Sequence, residues 1–250
     1  MENKKRKTGV YRIVLVLAWM LLCLAAGCGR QEESVFTMDG AAVSPEEYLQ
    51  IMKREKFYVE RYFADGFQAE ISEEGFWETE YQGEVPLNRL LDQTMEQLRL
   101  MRAMYGLAEE RGYVRDGSYA GMKERMEQEN ALRAKKKEAG EVVYGLSSFS
   151  LDQWMDYEGG ILEETFCNDL KNPEMNITEE EKKEFFEAGL AAGIWVDLDG
   201  NPGVTMEEQG AGLDQEIRKS RYQELLRQRA DDISVVMDEA AVYRFMLEHL

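Results

Sequence analysis

One run of oxygen-bearing side chains has the spacing of a metal-binding loop, Asp197-Leu198-Asp199-Gly200-Asn201, continued to Glu208. Oxygen ligands at positions one, three, five and twelve are the spacing of a calcium loop between two helices. The match is incomplete. Such a loop needs glycine at its sixth position for a sharp turn, and Pro202 stands there. Ile194 to Val196 also read as extended rather than helical. The competing reading of Asp197, Asp199, Asn201 and Glu208 is an acidic hairpin turn.

Cysteine and histidine are scarce enough to restrict covalent chemistry. Cys28 follows Leu24-Ala25-Ala26-Gly27, which has the form of a lipobox, where a signal peptidase cuts before a lipid-modified cysteine. Cys23 lies upstream of that cut, so Cys167 alone would remain and no intramolecular disulfide could form. A lone cysteine of this kind reads as a small buried apolar residue. His249, the one histidine, is the penultimate residue and reads as an exposed tail residue. A Cys–His pair or a Ser–His–Asp triad has no partner other than His249. The sequence has no phosphate-binding glycine loop and no zinc-ligand cluster, so no cofactor is expected. Its 49 acidic residues are too many for one pair to stand out, which leaves a glycosidase open on composition alone.

The N-terminus gives Cys28 its context. Lys4, Lys5, Arg6, Lys7 and Arg12 form a basic flank, and the 15 residues from Ile13 to Gly27 carry no charge. That run is short of the ~20 residues a membrane-spanning helix needs. It has the layout of a signal peptide. Residues 1–28 are therefore expected to be a lipoprotein signal, with 29–34 as a polar tether and 35–250 as a single folded body. A diacylglyceryl group on Cys28 would anchor that body outside the membrane, since two acyl chains hold where one is marginal. Residues 29–250 carry 25 basic and 48 acidic side chains, a net −23. That balance argues against nucleic acid as a partner. The 44% hydrophobic content argues against disorder.

The expected elements are mainly helical. Val35 to Gly40 reads as a short strand ending in an Asp-Gly turn, with Ala41 to Val43 returning beside it. Ser44, Pro45 and Glu47 then mark a helix start with a capping box, and Val43 and Tyr48 suit a hydrophobic staple. This helix is expected to run to about Phe63. Residues 66–86 read as a loop with a short helical piece near Gly75 to Tyr81. Leu87, Leu91, Met95, Leu98, Met101, Tyr105 and Ala108 step by three and four, an apolar stripe that predicts a helix ending at Gly112. Residues 117–138 form a third helix with Lys135-Lys136-Lys137 on a solvated face. Ser150 with Gln153 opens a fourth helix, to about Leu170, and Phe149 and Trp154 fit a staple. Gly159-Gly160 could kink it. Thr178 with Glu181 opens a fifth, to about Gly189. Ile194 to Met206 reads as a hairpin or loop, and a charged helix covers about Asp214 to Arg229. One strand near Ile233 to Met237 and a closing helix over Ala240 to Leu250 complete the reading.

Four segments in this order resemble the N-terminal chaperone domain of the SurA and PrsA class of extracytoplasmic foldases. They are Val35 to Tyr48 (VFTMDGAAVSPEEY), Leu98 to Val114 with its AEERG ending, and Glu129, Asn130 and Arg133 followed by Gly140 to Gly145 and Phe149-Ser150. The last is Ile177 to Lys182 with Phe185-Phe186-Glu187. The third segment is similar to one in lipoproteins of Gram-positive anaerobes. The resemblance covers about residues 33–190. It implies a mainly α fold in which the C-terminal strand and helix return to the N-terminal strand, with 191–250 as a more weakly matched extension. Members usually continue into a parvulin prolyl isomerase of ~90 residues. Only 60 residues follow Leu190 here, without the expected first strand or histidines.

The resemblance thus implies a membrane-anchored chaperone that binds unfolded or exported polypeptides without isomerase activity, on the outer face of a bacterial, Gram-positive type membrane. One alternative is an adaptor or assembly lipoprotein with one dedicated protein partner. A further one is a foldase with degenerate isomerase activity. The 12 methionines beyond Cys28 suit adaptable binding of polypeptide, although Met95 and Met101 fall on the core stripe. No client-binding residue can be singled out at this level.

Overall fold

A computed structural model describes residues 34–196 and 204–250. Cys28, Asp197, Asp199 and Asn201 lie outside the described residues, as do the signal and most of the tether.

The chain begins with a hairpin. Strand β1 (Phe36–Met38) pairs antiparallel with β2 (Ala41–Val43), in the register Phe36 to Val43. Asp39 and Gly40 turn it with φ of 48° and 76°. Positive φ at both central residues is the twist a two-residue hairpin favours, and Asp-Gly is the pair that adopts it readily. Phe36 and Met38 point inward and are buried, in keeping with the two-residue period of a strand.

Ser44 then caps α1 (Pro45–Phe67), accepting a hydrogen bond from Glu47 N. The helix runs four residues past the expected Phe63 and ends at Gln68, a left-handed residue whose N–H reaches Phe63 O. The extra turn is held by aromatic packing. Phe63 contacts Phe67, Phe76 and Tyr81 with ring centroids 5.2, 6.1 and 5.4 Å away. The polar connection after α1 is thereby tied down, through a 3₁₀ turn at Phe76–Glu78.

Helix α2 (Pro86–Glu110) carries the predicted stripe into the core and stops before Gly112, at φ 75°. Helix α3 (Tyr119–Glu138) is capped by Ser118, and its Lys135-Lys136-Lys137 turn is exposed. Helix α4 (Leu151–Asn168) has the full capping box of Ser150 and Gln153, and Phe149 meets Trp154 edge-on at 5.4 Å. It passes through Gly159 and Gly160 as one helix. After a 3₁₀ turn at Pro173–Met175 comes α5 (Glu179–Ala191), with the Thr178–Glu181 capping box.

Helix α6 (Met206–Asp231) departs from expectation. Thr205 caps it and Glu208 closes a capping box, so Met206 is helical rather than part of a returning strand. Gly210, at φ 41° and ψ −120°, interrupts the helix. That break accounts for a sequence pattern that becomes clearly helical only near Asp214. Strand β3 (Val235–Val236) joins the other edge of β1 to give the antiparallel order β2-β1-β3. Helix α7 (Glu239–Leu247) closes the chain. The fold is mainly helical with a small three-stranded antiparallel sheet. Its main core runs from the sheet through α1 and α2 to Val242 and Met246 of α7.

Candidate polypeptide-binding surface

Two buried polar clusters fix the helices that frame the surface. Arg102 of α2 reaches across to Glu47 of α1 with a two-pronged contact, Nε to Oε1 at 2.9 Å and Nη2 to Oε2 at 2.8 Å. Glu47 is 2% exposed. Its carboxylate therefore serves Arg102 instead of the reciprocal capping contact that the Ser44–Glu47 spacing predicted. Burial lifts the Glu47 carboxyl above its ordinary value, and Arg102 opposes that rise. In the second cluster Tyr105 donates to Glu158 at 2.8 Å, and Arg125 donates to the same carboxylate at 2.6 and 3.2 Å. Burial, then the Glu158 charge, push the Tyr105 hydroxyl pKa far up, so it stays protonated as a donor. The pair of contacts ties α2, α3 and α4 together.

Between α1, α2, α4 and α6 lies a cleft of about 310 Å³. Its floor includes Ile51, Met101, Met104 and Met155, and Arg54, Glu55, Asp156 and Arg227 stand at its rim. Arg54 bridges the rim to Asp156 at 2.6 Å, and Gln50 does so to Asp152 at 2.6 Å. Burial raises the Glu55 carboxyl, with Arg54 opposing. Three flexible thioethers over an apolar floor, with charges of both signs around it, can accept an extended apolar segment. Met101 and Met104 step by three along α2. That spacing was visible in the sequence, but the contributions of α4 and α6 were not.

A second surface is built by the third of the four resembling segments. Asn130 grips the backbone of Phe149 from both sides, accepting from its N–H at 2.7 Å and donating to its carbonyl at 2.9 Å. Arg133 donates to the carbonyls of Tyr144 and Leu146, at 3.0 and 2.6 Å. Its guanidinium lies 4.6 Å over the Phe149 ring, while Nε is held by Glu129 at 2.7 Å. The connection between α3 and α4 is therefore anchored, although most of its side chains, Phe149 apart, face solvent.

The other sequence candidates are dispersed. Cys167 is buried beside Phe166, Met175 and Tyr222, and burial pushes its thiol up to about 11. That environment disfavours the thiolate a nucleophile needs. His249 is exposed, its ring tilted against that of Phe245 with centroids 4.4 Å apart. Glu208 accepts from Thr205 N and Oγ1 at 2.7 and 2.9 Å, which commits it to the start of α6. Among the described residues no group of three or more His, Cys, Asp or Glu is placed to hold a metal. Met95 and Met101 are buried, as their place on the stripe requires.

Comparison with known proteins gives the sequence a family. Over 205 residues the sequence is 31% identical to the chaperone for lacto-N-biosidase of Bifidobacterium longum subsp. longum, spanning 81% of this chain and 71% of that protein. The chain belongs to that protein's family. The relative is a chaperone named for one enzyme, so it carries the chaperone part of the expectation rather than the SurA and PrsA assignment. No family profile matches the sequence. Two crystal structures of the GH136 lacto-N-biosidase of Eubacterium ramulus, native and selenomethionine-substituted, match with a TM-score of 0.45 and identities of 16% and 18%. The match covers 60% of this chain, which spans about a third of the length of those chains.

Proposed function

We propose that this chain is a chaperone dedicated to one partner enzyme of the lacto-N-biosidase class. The observation that carries the reading is the 31% identity, over most of both chains, with a chaperone for that enzyme. The dedicated-partner alternative therefore stands ahead of a general holdase. The Met-lined cleft is compatible with both, because an adaptable apolar surface can hold a segment of one client or of many. Co-expression separates them. Lacto-N-biosidase from the chain's own organism is expected to be recovered active only when this chain is present, while the chain leaves the heat aggregation of two unrelated proteins unchanged. Suppression of both aggregations with no gain of enzyme activity would reinstate the SurA- and PrsA-type general holdase.

The working location belongs to the same proposal. The basic flank, the short uncharged run and the Leu24–Cys28 sequence support export and lipid anchoring at Cys28. Wild-type chain should partition into detergent on phase separation and Cys28→Ser chain should not; equal partitioning of the two would refute lipidation there.

A further inference from the structure

Resting on the dedicated-client reading, we propose that the connection Gly140–Ser148, with the last turn of α3, is the knob by which the chain docks on its client. The knob would insert Val142 and Tyr144 into an apolar pocket with an acidic rim on the client enzyme.

Exposure is the first observation. Val142 is 71% exposed and Tyr144 86%, the largest value among the exposed large hydrophobic residues, with Leu146 beside them at 44%. Exposed apolar side chains are ordinary when they are scattered. Here three fall within five residues, on a backbone that is fastened down. Arg133 holds the carbonyls of Tyr144 and Leu146, Asn130 holds Phe149, and Glu141 N donates to Lys136 O at 2.9 Å. The Arg133 side chain is itself only 11% exposed. So a largely buried cation fixes the backbone of a segment whose Val142 and Tyr144 side chains face solvent. A presented, pre-ordered segment loses little conformational freedom on docking, and tyrosine is among the side chains that dominate interface energies.

Charge is the second observation, and it selects the occupant. The chain is strongly acidic, at −19. Its α3 nevertheless ends in exposed Lys135, Lys136 and Lys137, directly preceding the knob. The partial negative charge at the C-terminal end of a helix stabilises cations there while offsetting part of their field, and over residues 135–148 the three lysines outnumber Glu138 and Glu141 by one. The net charge of the chain disfavours an acidic partner surface, whereas this corner, with its small excess of cations, favours one. An apolar pocket ringed by carboxylates on the client fits both features. The apolar surface also continues onto α4, where Tyr157 stacks on Phe149 at 4.7 Å and remains 41% exposed.

The test uses the full chain co-expressed with lacto-N-biosidase from its own organism. The double variant Val142→Ser/Tyr144→Ser removes the knob's apolar tips without touching a buried residue. Phe57→Ser/Tyr58→Ser, exposed to 60% and 61% on α1, serves as the control. Enzyme activity and co-purified chain are expected to fall about tenfold or more for the knob variant. The control should stay within about twofold of wild type, and all chains should melt at the same temperature. Lys135→Glu/Lys136→Glu/Lys137→Glu should also lower co-purification, with a smaller deficit when both are compared at high salt. A knob variant that works as well as wild type, or a control that fails equally, would overturn the knob and leave the client reading standing. A wild-type chain that yields no active enzyme would overturn the client reading and the knob with it.

Discussion

Glu47 is the residue at which local and tertiary chemistry compete. Its spacing from Ser44 fits a reciprocal cap, and Ser44 does accept from Glu47 N. The carboxylate instead pairs with Arg102, 55 positions away, at 2.8 Å. A sequence displays the three-residue spacing but not a partner on another helix, so only half of this motif was legible. The same limit hid the cleft, whose floor draws on Ile51, Met104 and Met155 from three helices. The ion pair itself makes a stability prediction. Arg102→Met should cost about 3 kcal/mol in urea unfolding, because it leaves a buried carboxylate without its cation. Glu47→Leu/Arg102→Met should recover most of that loss, since a buried ion pair is often replaced by apolar groups at little cost. Equal destabilisation by the single and double variants would show that packing, not the charge pair, is what Arg102 supplies.

Helix starts were the best-read elements, because capping chemistry is local. Ser118, Ser150, Thr178 and Thr205 each accept from the backbone N–H three residues on. Of these, only the Thr205 start was misread, since Gly210 breaks the pattern that follows it. The strand β3 was legible as a strand, whereas its partner came from the resemblance and not from any property of Val235 or Val236. The caps carry a pH prediction. Hydrogen bonds from Thr178, backbone first, hold Glu181 below its ordinary pKa, with Arg221 assisting; Thr205 does the same for Glu208. A carboxyl whose folded pKa is depressed adds stability above its unfolded value of about 4.3, and that stability is lost as pH falls through the folded value. Glu47 and Glu55, whose values are raised, have the opposite sign and weaken the fold as pH rises through theirs. Glutamine still accepts in a capping box but does not titrate. Glu181→Gln/Glu208→Gln should therefore show a shallower loss of stability between about pH 5 and pH 3 than wild type. Identical slopes in urea titrations across that range would assign the acid limb to other carboxylates.

At the scale of the whole molecule the two ends of the described chain meet. β1 is the central strand, and its second partner β3 begins at Val235. Asp39 N donates to Ser234 O, and Asp39 Oδ1 accepts from Ser234 N, both at 2.9 Å. Tyr48 packs between Phe36 and Phe245 at 5.7 and 5.8 Å, while Lys56 donates to Leu250 O at 3.0 Å. Val242 and Met246 are wholly buried against this junction. Contacts between residues some 200 positions apart close a large loop when they form, and non-local pairing of this kind is slow. The environment of α1 is therefore complete only with α7 docked against it. Met246→Ala should cost about 2–5 kcal/mol, as a buried methionine leaves a cavity. Its signature should be non-local. Amides of β1 and of the first turns of α1 should lose hydrogen-exchange protection together with those of α7, although they lie some 200 residues upstream. Arg244→Ala, on the exposed face of the same helix, should leave all of them protected. Loss of protection confined to α7 would mean that the N-terminal hairpin and α1 hold their structure independently, and that the returning C-terminus is docked onto a finished core rather than completing it.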